Sequence, residues 1–139
     1  MPLYLIDSDT LPHFRNGHSA VVRNVLSHPL ADLAASVITL EEHLNGWYTE
    51  LRKAKSVDRL ENAYRKLAGV VEFFVGFPIL PFARPAILRS QAFLRMNLNV
   101  KKQDLRIASI AIEYEAIVAT CNLSDFQRIP GVVVEDWSR

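Results

Sequence analysis

At 139 residues, half of them apolar and with a net charge of +1, the chain has the size of one domain, 1–139, with material for a sizeable core. The balanced charge excludes a large basic footprint for phosphate, though not a local one. A single cysteine, Cys121, excludes an internal disulfide framework and a cysteine-built zinc cluster.

The first element is a strand. Tyr4-Leu5-Ile6 runs straight into Asp7-Ser8-Asp9, and a short apolar run of this kind reads as a buried strand of a parallel sheet. Its acids then fall at the strand's C-terminal end, where open α/β sheets form ligand sites. A buried carboxylate is costly without a partner, so Asp7 is expected to have one or to hold a cation. Residues 10–15 predict a short helix closed by the turn signal Asn16-Gly17. Ser19 is expected to cap a second helix, with Val21, Val22, Val25 and Leu26 on its apolar face and His28-Pro29 stopping it. Residues 32–38 predict a second strand.

Thr39-Leu40-Glu41-Glu42 fits a capping box that starts a helix running to about Ala54. Leu40, Leu44, Trp47, Tyr48 and Leu51 supply its apolar side. Ser56 caps another long helix, in which Leu60, Ala63, Tyr64, Leu67, Val70, Val71 and Phe74 recur at helical spacing. The pair predicts a hairpin projecting from the sheet. Residues 70–82, the most apolar stretch, are too short and too broken by Glu72, Gly76, Pro78 and Pro81 to span a bilayer. The N-terminus lacks the basic region of a secretory signal. A soluble, cytoplasmic protein is therefore expected.

Phe77-Pro78-Ile79-Leu80 reads as a short strand, with Pro78 favouring an edge or a strand start. Pro85 suits the first turn of a helix that continues through Leu88, Ala92 and Leu94. Residues 101–115 predict the next helix, with Ile107, Ala108, Ala111 and Ile112 on one stripe. Asp104 belongs to that stripe and is expected to point inward over the end of the sheet. Residues 116–120 are a strand, followed by polar Asn122, Ser124 and Asp125. Ile129-Pro130-Gly131 turns the chain into a last strand, residues 132–135. Strands alternating with helices imply an α/β fold: three layers, α/β/α, around a central parallel sheet of four to five strands.

Four segments thus meet at one edge, bringing Asp7 with Asp9, Glu42, Asp104, and Asn122 with Asp125. Clustered oxygen ligands suit Mg²⁺ or Mn²⁺. Each residue also has a plainer reading: Glu42 as a capping-box partner, Asp104 as a charge favourable at a helix start, Asp125 as a turn residue, Asp9 as a helix cap. Trp47 and Tyr48 read either as base-stacking residues or as core, groove or dimer contacts. Lys101, Lys102 and Arg106 flank Asp104 as phosphate neutralisers or as a solvated helix end. Arg52, Lys53 and Lys55 read as a solvated hairpin tip. His13, His18, His28 and His43 lack zinc-ligand spacing, and Cys121 reads as a packing residue.

In order along the chain, Tyr4 to Asp9, Ile38 to Glu42, Gln103 to Ala108, Thr120 to Phe126, and Ile129-Pro130-Gly131 through Glu135-Asp136-Trp137 resemble a PIN domain of the VapC toxin type. The resemblance covers nearly the whole chain. It implies a magnesium-dependent endoribonuclease, the toxin of a type II toxin–antitoxin pair, cleaving RNA such as tRNA or rRNA. It also implies restraint by a VapB-type antitoxin and a homodimer. The family's three acids match Asp7, Glu42 and Asp104, with Asp7 and Asp104 as the metal ligands. Its fourth site position falls on Asn122, with Asp125 one turn on, and Thr39 and Thr120 match polar positions beside the site. Family glycines stand here as Val100 or Lys101 and as Glu115, so turns of a different shape are expected there.

Two rival functions share these residues. Asp7-Ser8-Asp9 also resembles the nucleophile and acid pair of haloacid-dehalogenase phosphatases, although no Gly-Asp-rich motif follows and Lys102 is a weak match for their lysine. The other rival is a PIN-like binding module without activity.

Overall fold

The computed structural model describes residues 2–139. Alternate residues of β1 (Leu3–Ile6) leave the sheet on opposite faces, and both faces are covered. Leu5 enters a core with Ala34, Leu105, Ile107, Ala108, Ala111, Val118 and Phe126. Tyr4 and Ile6 enter the other core, with Leu11, Val21, Leu33, Val70, Phe74 and Trp137. This two-sided burial is what a continuous apolar run requires, and it makes β1 the centre of the sheet.

The five strands lie in the order β3-β2-β1-β4-β5, with β2 (Leu33–Ser36), β3 (Ile79–Leu80), β4 (Ala116–Thr120) and β5 (Val133–Asp136). All pairings are parallel, with Leu5 opposite Ala34 on one side and Val118 on the other. α1 (Thr10–Arg15), α2 (Ser19–Leu26) and α4 (Val57–Val75) cover one face. α5 (Arg84–Arg95), α6 (Lys102–Glu113) and α7 (Leu123–Gln127) cover the other. The fold is the expected three-layer α/β/α arrangement. The chain leaves β1 toward β2 on one side and returns to β4 on the other. The β1/β4 boundary is therefore the switch point, outside whose carboxyl ends a crevice forms.

α3 (Val37–Lys53) and α4 form the expected hairpin, and the Ser56 side chain accepts a hydrogen bond from Arg59 N as predicted. Several boundaries differ from the sequence reading. β2 begins at Leu33, after a 3₁₀ turn at Leu30–Asp32, and ends at Ser36. α3 therefore starts at Val37, and its cap is Ser36, whose Oγ accepts from Thr39 N at 3.1 Å. Thr39 is a buried residue of the first turn, and Glu42 is not a capping-box partner. His18 rather than Ser19 caps α2, its ring accepting from Val21 N, and Leu26 is exposed. On α4 the buried positions are Ala63, Val70 and Phe74, whereas Leu60, Tyr64 and Val71 face outward. On α5, Phe93, Ala86 and Ser90 are buried while Leu88 and Leu94 are exposed. The last strand lies one residue later than expected, and α7 was not foreseen.

Candidate active site

Asp7 follows β1 at the switch point, and its side chain is almost wholly enclosed. Both carboxylate oxygens are held. The backbone N–H of Thr10 donates to Oδ1 at 3.0 Å, and the hydroxyl of Thr120 donates to Oδ2 at 2.6 Å. Asp7 thus supplies the side-chain oxygen that the start of α1 needs, whereas Asp9, at the cap position, makes no side-chain cap bond. Thr120 ends β4 and also accepts from Asn122 N at 2.8 Å, and Thr10 Oγ1 accepts from Cys121 N at 2.9 Å. The ends of β1 and β4 are thereby tied around one carboxylate.

Asp104 enters from the first turn of α6 on the inward stripe, and is buried as predicted. Its carboxylate has no hydrogen-bond partner among the described residues. Burial first, then the charges of Asp7, Asp9 and Glu42, push its pKa up to about 7, and Lys101 only partly offsets them. Asp7 is pushed up to about 6, chiefly by burial and further by Asp9, against the lowering effect of its bonds from Thr10 and Thr120. The structure therefore brings Asp7, Asp9, Glu42 and Asp104 into one another's field.

Glu42 projects from the second turn of α3. Ser8 Oγ donates to its Oε1 at 2.7 Å and lies 3.0 Å from Thr39 Oγ1. Ser36 donates to Thr39 Oγ1 at 3.3 Å. Each hydroxyl has one proton. Ser8 spends its own on Glu42, so Thr39 donates to Ser8 while accepting from Ser36. The donors all run toward Glu42.

Asn122 precedes α7 and spends an amide N–H on Asp125 Oδ2 at 2.8 Å. Asp125 also pairs with Arg128 at 3.1 Å, and Arg128 Nη1 reaches Asn99 O at 2.8 Å. Asp125 is thus a partly neutralised acid that orients Asn122, and it is not among the charges that raise Asp7 or Asp104. Of the residues read as candidates, the three acids from β1, α3 and α6 converge, while Asn122 and Asp125 form a separate pair tied to Asp7 through Thr120. Ser8, Thr10 and Ser36 were missed. The one available signal was Asp7 three residues before the Thr10 amide, a capping spacing.

Arg106 lies over the Phe82 ring and bonds Gln103, and is not among the charges acting on Asp104, while Arg52 bonds Thr49 at the exposed hairpin tip. His28 stacks on Trp137, and no set of three or more His, Cys, Asp or Glu side chains among the described residues is placed to hold a metal ion unaided. Glu115 adopts φ +54°, the left-handed region a glycine favours, so this turn stays left-handed without the glycine.

The chain is thus a parallel three-layer α/β protein whose acids gather outside the carboxyl ends of the central strands, at the switch point. Its relatives are visible in structure. No protein-family model matches the sequence, and no curated protein matches it. Solved structures do. A chain of the DNA-bound VapBC complex from Salmonella typhimurium is 27% identical, with a TM-score of 0.78 over 99% of both chains. A chain of VapBC2 from Rickettsia felis, bound to a DNA fragment from its promoter, is 26% identical, with a TM-score of 0.73 over 97% of this chain and 98% of that one. A toxin–antitoxin complex from Klebsiella pneumoniae gives 25% identity and a TM-score of 0.69 over 94% and 95%. The resemblance to a PIN-domain, VapC-type toxin read from the sequence is borne out by these structures.

Proposed function

We propose that this chain is a magnesium-dependent endoribonuclease, the toxin of a VapBC-type pair, acting in the cytoplasm and held in check by a VapB-type antitoxin. The observation that carries the proposal is Asp104, a buried carboxylate beside three other acids with only Lys101 to offset them. Such a group calls for a cation. The donor set fits Mg²⁺ or Mn²⁺. Magnesium keeps several waters and takes one or two protein carboxylates plus substrate phosphate rather than an all-protein cage, and Asp7 with Asp104 offers two carboxylates and no thiolate or imidazole.

Asp7 and Asp104 are the residues that would hold the ion. When bound, it would polarise a phosphoryl oxygen and lower the pKa of a water. Thr10 and Thr120 fix both oxygens of Asp7, so its free lone pairs present one geometry. Glu42, oriented by Ser8, is the base that takes the proton of the attacking water. Asn122, oriented by Asp125, donates its remaining amide N–H to the substrate backbone. The phosphatase alternative fits less well, because an enclosed Asp7 with both oxygens engaged is a poor nucleophile.

The homodimer and the antitoxin complex are part of the same proposal. Exposed apolar residues along the hairpin, including Tyr48, Val57, Tyr64, Val71 and Val75, supply surface for such partners.

The experiment is cleavage of cellular RNA by antitoxin-free protein in Mg²⁺, in EDTA, and with Asp104→Asn. Metal-dependent cuts lost in the variant are expected. Absence of cutting in both Mg²⁺ and Mn²⁺ would leave the inactive binding module as the better account.

A further inference from the structure

Beside the acids lies a cleft of about 550 Å³, the size of a small-ligand site, with Asp9 and Glu42 at one end. Trp47, one turn and a half along α3 from Glu42, forms part of its wall. Arg15, at the end of α1, and Lys66, on α4, add two cations to the lining. Arg15 is fixed by stacking over the Phe73 ring at 4.9 Å. The cleft joins an aromatic wall, cations and an acid cluster in one continuous hollow. Tyr48, the neighbour of Trp47, faces a different groove with Val37, Leu40 and Leu44 and is 47% exposed. The two aromatic residues therefore have separate roles.

Resting on the ribonuclease reading above, we propose that this cleft is a nucleotide subsite. Trp47 stacks the base next to the scissile phosphate, and Arg15 with Lys66 takes the adjacent phosphate. Charge complementarity selects this occupant. A phosphodiester strand offers a phosphate for a metal-loaded acid cluster at one end and another for the two cations. Between the phosphates it offers a flat base with a π-face for an indole. Glu50 also lines the cleft, so the phosphate is placed on the Arg15 and Lys66 side.

The chain has two tryptophans, and Trp137 is only 1% exposed, so a nucleotide in the cleft can quench Trp47 by contact while Trp137 adds a constant background. Titrating AMP or GMP into the full-length, antitoxin-free protein with Mg²⁺ is expected to give saturable quenching. Trp47→Phe should lose the signal and Tyr48→Ala should retain it. Lys66→Glu should weaken the apparent affinity about tenfold. On a short oligoribonucleotide, Trp47→Ala should raise KM about tenfold with kcat little changed, and Trp47→Phe should restore it, which separates lost stacking from a damaged fold. Quenching that persists in Trp47→Phe, or that Lys66→Glu leaves unaltered, overturns the subsite. So does emission that answers to an antitoxin peptide and to neither nucleotide. Wild-type cleavage of RNA with no nucleotide response removes the subsite and leaves the ribonuclease standing. Nucleotide binding by a chain that cuts nothing does the reverse.

Discussion

Ser8 carries one proton, and that proton is spent on Glu42. Replacing Ser8 by alanine leaves the carboxylate without its donor and breaks the hydroxyl chain from Ser36 through Thr39. Ser8 is only partly buried, so the fold should survive. If Glu42 is the base, kcat should fall about 10- to 100-fold with KM nearly unchanged, as is typical of supporting partners around a metal site. Steady-state kinetics on a defined RNA would show this, and equal kcat values would remove Ser8 from the mechanism. Thr120→Val tests the other side. It keeps the shape but deletes the 2.6 Å bond to Asp7 Oδ2 and the acceptor for Asn122 N. Leaving buried groups unpaired costs about 1–3 kcal/mol, and Mn²⁺ affinity by calorimetry should drop about 10- to 100-fold. Undiminished affinity would mean that Asp7 needs no such orientation.

Among the elements, the acids are legible in the sequence, and Thr39 and Thr120 through the family resemblance, whereas Ser8, Thr10 and Ser36 are not. An acid on an apolar stripe, such as Asp104, is conspicuous because burying it is costly. Serines and threonines occur everywhere and acquire meaning only when a fold brings them together. The boundary between β2 and α3 was misread for a related reason. Val37-Ile38 is β-branched and reads as strand, with Thr39 as the cap, yet Ser36 ends the strand and caps the helix in a single residue. α7, at five residues, is too short for any periodicity to mark. The turn between α6 and β4 carries its own test. Glu115 lies just past the end of α6 at φ +54°, a position that glycine usually holds. A non-glycine residue there costs about 1–2 kcal/mol. Glu115→Gly relieves that strain while loosening the unfolded chain, so a net gain of about 0.5–1 kcal/mol is expected in the urea midpoint, with m unchanged. A loss would show that the Glu115 side chain makes a compensating contact.

Across the whole molecule, the acid cluster couples folding to pH and to metal. Folding raises the pKa of Asp7 to about 6 and that of Asp104 to about 7, from an ordinary value near 3.8. A carboxyl raised on folding favours the native state when protonated. Its contribution is present below about pH 4 and is lost as pH climbs through the folded-state value. The metal-free protein should therefore lose stability between about pH 4 and 7 from these two groups, and level off above. Other groups titrate in the same window, so the informative quantity is the difference between wild type and Asp104→Asn. That variant cannot ionise, and its advantage over wild type should grow from near zero at pH 4 to a plateau above pH 7, in the metal-free state. Adding Mg²⁺ should reverse the order at pH 8, because the wild-type pair holds the ion and the variant retains only Asp7 of that pair. Thermal melts of both proteins at pH 4, 6 and 8, with EDTA and with Mg²⁺, measure the two effects together. A pH-independent difference would mean that Asp104 is already neutralised within the fold. A growing difference that Mg²⁺ does not reverse would mean that the cluster is strained but holds no ion.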